Sequence, residues 1–241
     1  MQTKLVLGMA LVLVAAVAPV GAATLLQFDF SGATNTSASN SQNSTFSASG
    51  VSSSVMTRGA GISANNAANS FRGTGFSNDG VSVSNTDYFQ FSVSAASGYR
   101  ISISSIYGNF NGTGTFSASP GVTMAYAYSV NGGSTFTLMD TFVRVGSGNA
   151  TYSISSSYVA ALSGVESVIF RLYASGQTST GGWGLQSAVS AGTVGLAVDG
   201  TVSAVPEPSA YVFIAGVGVA GWAVVTRRRR PAYAAVGSSD S

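Results

Sequence analysis

The chain has 241 residues, with 10 Lys+Arg, 8 Asp+Glu, no His and no Cys, for a formal net charge of +2. That inventory excludes a Cys or Ser-His nucleophile, an imidazole or thiolate zinc site and a disulfide framework, so an enzyme here depends on carboxylates. Charged residues are 7% of the chain and Gly counts 30, against about 25% charged in an ordinary globular domain. A surface so poor in ion pairs is built of Ser, Thr, Asn and Gly and suits an extracytoplasmic domain.

Residues 1–23 read as a secretory signal peptide. Lys4 precedes an apolar stretch from Leu5 to Val17, and Pro19-Val20-Gly21-Ala22-Ala23 ends in small residues suited to a signal peptidase. The apolar run of about 13 residues is short for roughly 30 Å of hydrocarbon, which argues against an uncleaved anchor. Cleavage is expected after Ala22 or Ala23.

Residues 24–204 form the expected exported body. Residues 31–56 are rich in Ser, Ala, Asn and Thr and read as a long surface loop or an edge strand of weakly set register. Beyond them an apolar period of two dominates. Phe89, Phe91 and Val93 alternate with Gln90, Ser92 and Ser94. The series Val122, Met124, Tyr126, Tyr128 and Val130 repeats the pattern, as do Val168, Phe170 and Leu172, and then Val194, Leu196 and Val198. Turn signals separate these runs at Asp79-Gly80, Gly98, Asn111-Gly112, Asn131-Gly132-Gly133, Gly181-Gly182 and Asp199-Gly200. The Asn131 turn is the best hairpin signal. Only Ser155 to Leu162 suggests a short helix, with Ser155 to Ser157 as caps. Strands with one apolar face each must cover one another, so the expectation is all-β: an antiparallel, jelly-roll-like β-sandwich.

The basic residues are unevenly placed. Lys4 is at the N-terminus and Arg227, Arg228, Arg229 and Arg230 form one block, leaving Arg58, Arg72, Arg100, Arg144 and Arg171 in the body. Against these five stand six acids, Asp29, Asp79, Asp87, Asp140, Glu166 and Asp199, for a body charge of −1. Scattered arginines on a slightly acidic body do not make a phosphate-binding surface, so no nucleic-acid partner is expected.

The C-terminal region is a second membrane segment. Ala210 to Thr226 is apolar enough to cross, and as a helix it would cover about 25 Å, with snorkelling arginines able to extend it. Arg227 to Arg230 hold the far end in the cytoplasm by the positive-inside rule, so the body lies outside and residues 231–241 form a cytoplasmic tail. A buried core helix would not end in four consecutive arginines. Ahead of the span stands Pro206-Glu207-Pro208. Two prolines fix φ and remove two backbone donors, which keeps the tripeptide extended and unpaired above the membrane.

The order Pro-Glu-Pro, apolar helix, arginine cluster over residues 205–230 resembles the PEP-CTERM sorting signal of Gram-negative-type bacteria. The resemblance implies recognition of Pro206, Glu207, Pro208 and Arg227 to Arg230 by an exosortase-like membrane enzyme that cuts near the motif. It also implies transient anchoring in the inner membrane, then delivery to the envelope or the extracellular space, often alongside exopolysaccharide. The tail beyond the arginines, Pro231 to Ser241, is longer than is usual for such signals.

The body offers little chemistry. Glycoside hydrolysis needs two carboxyl groups about 5 to 9.5 Å apart, yet none of the six acids lies in a recognisable motif, and Asp79, Asp87 and Asp199 sit where Asp bonds its local backbone. No metal site and no cofactor are expected, since the acids lack calcium-loop spacing. The stretch Asp87 to Val202 also resembles galactose-binding or lectin-like sandwich modules, through Tyr88 to Phe91, Ser129 to Gly133, Phe170 to Tyr173 and Asp199 to Val202. Candidate sugar contacts are Trp183, flanked by Gly181, Gly182 and Gly184, together with Arg171 and Tyr173. Trp183 could instead cap the core. Three functions remain: a non-enzymatic structural or adhesive protein of the envelope or matrix, a carbohydrate-binding module associated with exopolysaccharide, and, least favoured, a carboxylate-dependent glycoside hydrolase.

Overall fold

The computed structural model describes residues 22–32, 41–144, 151–157, 160–187 and 194–205. The expected signal peptide up to Gly21, and the Pro-Glu-Pro segment, apolar span, arginines and tail from Pro206 onward, lie outside the described residues. Fourteen strands run in chain order as β1 (Ala23–Phe28), β2 (Ser41–Asn43), β3 (Phe46–Ser47), β4 (Val55–Arg58), β5 (Ser63–Asn65), β6 (Ser70–Thr74), β7 (Tyr88–Ser94), β8 (Tyr99–Gly112), β9 (Val122–Ser129), β10 (Thr137–Arg144), β11 (Thr151–Ser157), β12 (Ser167–Ser175), β13 (Trp183–Gln186) and β14 (Leu196–Ala204). The sole helical element among the described residues is a 3-10 turn at Ala160–Leu162.

The strands form two antiparallel sheets. The first is ordered β3-β1-β14-β8-β13-β6-β5, with β11 also paired to β8, and the second is ordered β10-β9-β12-β7-β4-β2. From β7 to β12 the chain changes sheet at nearly every connection, so that the set β1-β14-β8-β11 lies opposite the set β7-β12-β9-β10. Strand β8 is the spine of the first sheet. Residues 99–108 pair with β14, residues 105–111 pair with β11, and residues 110–112 pair with β13. Because a strand has only two edges, β13 takes over the edge that β14 vacates. Asn109 bridges that handover, its backbone N–H donating to Gly195 O at 2.9 Å and its Nδ2 to Gln186 O at 2.7 Å.

Alternation sorts the side chains as the sequence indicates. In β7, Phe89, Phe91 and Val93 are buried while Tyr88, Gln90, Ser92 and Ser94 are half-buried on the other face. In β12, Val168, Phe170 and Leu172 point inward. The two inner faces meet through aromatic rings: Phe28 of β1 lies edge-on to Phe91 of β7 at 5.7 Å, and Phe71 of β6 lies 5.4 Å from Phe89. The β9-β10 hairpin is where the Asn131 signal puts it, with Tyr128 opposite Thr137 and Gly132 and Gly133 at φ of 71° and 90°. Asn131 Oδ1 accepts from Ser129 Oγ and from the Thr135 N–H, which ties the loop to itself. The body's arginines are partly drawn inside as well. The Arg58 guanidinium lies 3.8 Å over the Phe71 ring and donates to Arg72 O, and burial lowers its pKa to about 10.

Three local expectations are corrected. Asn111-Gly112 is no turn but the end of β8, where a Cβ on Gly112 would sit 3.2 Å from Trp183 Cδ1, so the glycine serves close approach. Asp199-Gly200 lies inside β14 at a register shift against β8; an added Cβ on Gly200 would strike the Ser102 carbonyl oxygen, so this pair makes a bulge. Ser155 to Ser157 do not cap a helix. They close seven rungs of pairing between β11 and β8, because a free sheet edge outweighs a weak helical preference.

Candidate functional site

The chain leaves the sandwich through β14. That strand lies between β1 and β8, and its last rungs pair Val202 with Ile101, Ser203 with Arg100 and Ala204 with Tyr99. The Val205 N–H then donates to Gly98 O at 2.8 Å. The next residue is Pro206, which has no N–H to extend the ladder. Among the described residues the Val205 bond is the last backbone bond of the ladder, one residue ahead of the Pro-Glu-Pro segment. A cleft of about 380 Å³ opens at this exit, lined in part by Ala95, Gly98, Tyr99, Glu166 and Val205. Arg100 and Glu166 meet across it at 2.8 Å, both largely exposed, so the pair contributes little to stability.

A second cluster lies on the outer face of the β10-β9-β12-β7-β4-β2 sheet. Gln90 of β7 and Arg171 of β12 are direct cross-strand partners, as are Tyr88 and Tyr173. The Arg171 guanidinium lies 4.1 Å from the Tyr88 ring centroid and 3.8 Å from that of Phe136, so both its faces are covered. Its Nε donates to Gln90 Oε1 at 2.9 Å and its Nη1 reaches the Tyr173 hydroxyl at 3.5 Å. The Tyr173 hydroxyl donates to Val83 O at 3.3 Å, and burial raises its pKa, partly offset by Arg171. Arg171 and Tyr173 are neighbours on this face, but Tyr173 is 1% exposed and offers no surface to a sugar, which leaves the half-buried Arg171 as the accessible member of the pair. Trp183 is not with them. It is 0% exposed in the core, stacked on Phe110 at 5.2 Å and meeting Phe76 edge-on at 5.3 Å, so its ring offers no face to a sugar. The flanking glycines do not expose it. Gly184 instead lets β13 pair closely with β6, since a Cβ there would sit 2.6 Å from Arg72 Cα.

Sequence reasoning missed three members of the cluster. Tyr88 and Gln90 were legible in principle as the out-of-phase residues of the Phe89-Phe91-Val93 alternation. Phe136 carries no such signal, because it lies in the β9-β10 loop and reaches Arg171 only through the hairpin's tertiary position.

The chain carries a PEP-CTERM protein-sorting motif over residues 204–230. The motif begins on Ala204, the last residue of β14, so it is joined to the sandwich with no intervening linker. It spans about a tenth of the chain, and it marks an exported protein that is processed by an exosortase, a membrane enzyme, and held transiently in the membrane by its C-terminal segment. No curated protein matches the chain.

Ahead of the PEP-CTERM motif, the acids are engaged locally. Asp87 is 5% exposed and accepts from the Ser77 N–H at 2.7 Å and Ser77 Oγ at 3.0 Å. Ser77 Oγ also meets Asp79, so one serine links two carboxylates in a loop. Asp199 accepts from Thr24 Oγ1 at 2.9 Å and Ser105 Oγ at 3.3 Å, pinning β1 and β8 to β14. Asp29 accepts from the Ser31 N–H and Oγ; burial raises its pKa, but these bonds together with the Ser187 hydroxyl outweigh it and lower the pKa. These contacts organise loops and strands.

Proposed function

We propose that this chain is a non-enzymatic, exported β-sandwich protein that an exosortase-like enzyme sorts to the envelope or the extracellular matrix, where it does structural or adhesive work. The observation that carries the reading is the continuity of β14 with the PEP-CTERM motif at Ala204. The Pro-Glu-Pro segment thus begins two residues after an internal strand of the first sheet. The body is a jelly roll on this reading; what supports it is that β1-β14-β8-β11 and β7-β12-β9-β10 reproduce the two opposed four-strand sets of that architecture. Signal peptidase acts first, and cleavage after Ala22 leaves β1 whole.

The test is processing. In cells that make the exosortase, intact-mass measurement of the exported protein should show a C-terminus near Glu207, and Glu207→Ala should leave the full C-terminal segment attached and the protein in the membrane. An unchanged C-terminus and unchanged release in the variant would sink the reading.

A second reading, a carbohydrate-binding module associated with exopolysaccharide, is supported by the Arg171, Tyr88, Gln90 and Phe136 cluster on an outer sheet face. Trp183 is no part of it.

A further inference from the structure

We propose that the Arg171 clamp is a binding site for a carboxylate-bearing polysaccharide, a polyuronate; this rests on the carbohydrate-binding reading above and names the ligand class. Three features of the clamp point there. Arg171 forms no ion pair, the one found among the described residues being Arg100 with Glu166. Its Nε and Nη1 are bonded, while Nη2 has no hydrogen-bond acceptor among the described residues. With Tyr88 and Phe136 covering both faces of the guanidinium, the remaining approach is edge-on in its own plane. That is the geometry in which a guanidinium takes a carboxylate.

The neighbours extend the argument from an anion to a sugar acid. Gln90 uses Oε1 to orient Arg171, which keeps the donors of its Nε2 out of that bond. Thr57, Gln90 and Arg171 are consecutive cross-strand partners on β4, β7 and β12 and are each half-buried, while Ala127, next in the row on β9, is fully buried. The accessible part of this row crosses three strands, which fits one stretch of a polymer lying across them. Charge then selects among polymers. The body has one more acid than base, so it attracts no polyanion by its overall field, and a single oriented cation suits carboxylates spaced by neutral hydroxyl-bearing rings. The rings also hold the guanidinium in place before binding, which reduces the ordering cost of the contact.

The experiment uses full-length protein in detergent micelles. Binding is measured to polygalacturonate, to fully methyl-esterified polygalacturonate and to poly-glutamate. The expected result is preference for the free acid over its ester, and a loss of about tenfold in Arg171→Gln and Arg171→Lys, with Arg100→Gln unchanged. The lysine variant keeps the charge and loses the fork, so it separates geometry from net charge, and thermal melts establish that both variants fold. Equal binding to acid and ester, with sensitivity to Phe136→Ala but not to Arg171, would overturn the carboxylate assignment and leave the carbohydrate reading standing. Equal or tighter binding of poly-glutamate would replace the sugar with an acidic peptide. Binding to none of the three would overturn the proposal and remove the support for carbohydrate binding.

Discussion

Tyr126 of β9 gives the sharpest test of the packing. It is 1% exposed, its ring lies edge-on to Phe142 at 6.5 Å, and its hydroxyl is buried with no hydrogen-bond partner. The hydroxyl fits because Gly108 of β8 has no side chain; a Cβ there would sit 2.5 Å from the oxygen. Desolvating a hydroxyl without a partner costs about 1–3 kcal/mol. Tyr126→Phe removes that cost and leaves a void of roughly one oxygen atom, for a net gain of about 1 kcal/mol and a rise in Tm of about 2–4 °C. An alkaline arm isolates the same group. Burial, with Tyr107 nearby, raises the Tyr126 pKa in the fold, so above about pH 10 the unfolded chain sheds a proton that the folded chain keeps. Wild-type stability therefore falls with rising pH through this group, by up to about 1.4 kcal/mol per unit, and the variant lacks that share. Urea unfolding followed by circular dichroism at pH 7 and again between about pH 10 and 11 should show a gap in favour of the variant that widens with pH. A variant less stable at neutral pH, or a gap that does not widen, would mean that the hydroxyl is bonded in the fold.

Two further substitutions separate structural from functional roles. Trp183→Ala empties the centre of the Phe76, Phe89, Phe110 and Phe116 cluster and should cost about 3–5 kcal/mol, lowering Tm by roughly 10 °C or more; calorimetry showing under about 1 kcal/mol would place the ring outside the core. Asp87→Asn should loosen the loop from Ser77 to Asp87 and cost about 1–2 kcal/mol, visible as faster limited proteolysis in that segment. Loss of a glycosidase activity in that variant at undiminished stability would revive the hydrolase reading.

Much of the fold was legible because its causes are local. A period of two in Phe89-Phe91-Val93 or Val168-Phe170-Leu172 can bury one face only as a strand, and Asn131-Gly132-Gly133 supplies the positive φ that a hairpin between Tyr128 and Thr137 requires. The same patterning misled where a glycine had a tertiary purpose. Gly112 and Gly200 look like turn residues, yet Gly112 ends β8 tight against Trp183, and Gly200 stands inside β14 where the Ser102 carbonyl leaves no room for a Cβ.

The sorting motif is the clearest case of what sequence settles alone. Stiff prolines, a continuous apolar run and a block of cations are properties of consecutive residues, and they are read by a membrane and an enzyme along the chain rather than across a fold. The Arg171 clamp is the opposite case. Gln90, Phe136 and Arg171 are far apart in sequence, and their meeting depends on β7 pairing with β12, and on the loop between β9 and β10 folding back over that sheet. Trp183 too was assigned its place by the fold, since the flanking glycines permit either an exposed or a buried ring, and only the close packing of four phenylalanines around it decides for burial.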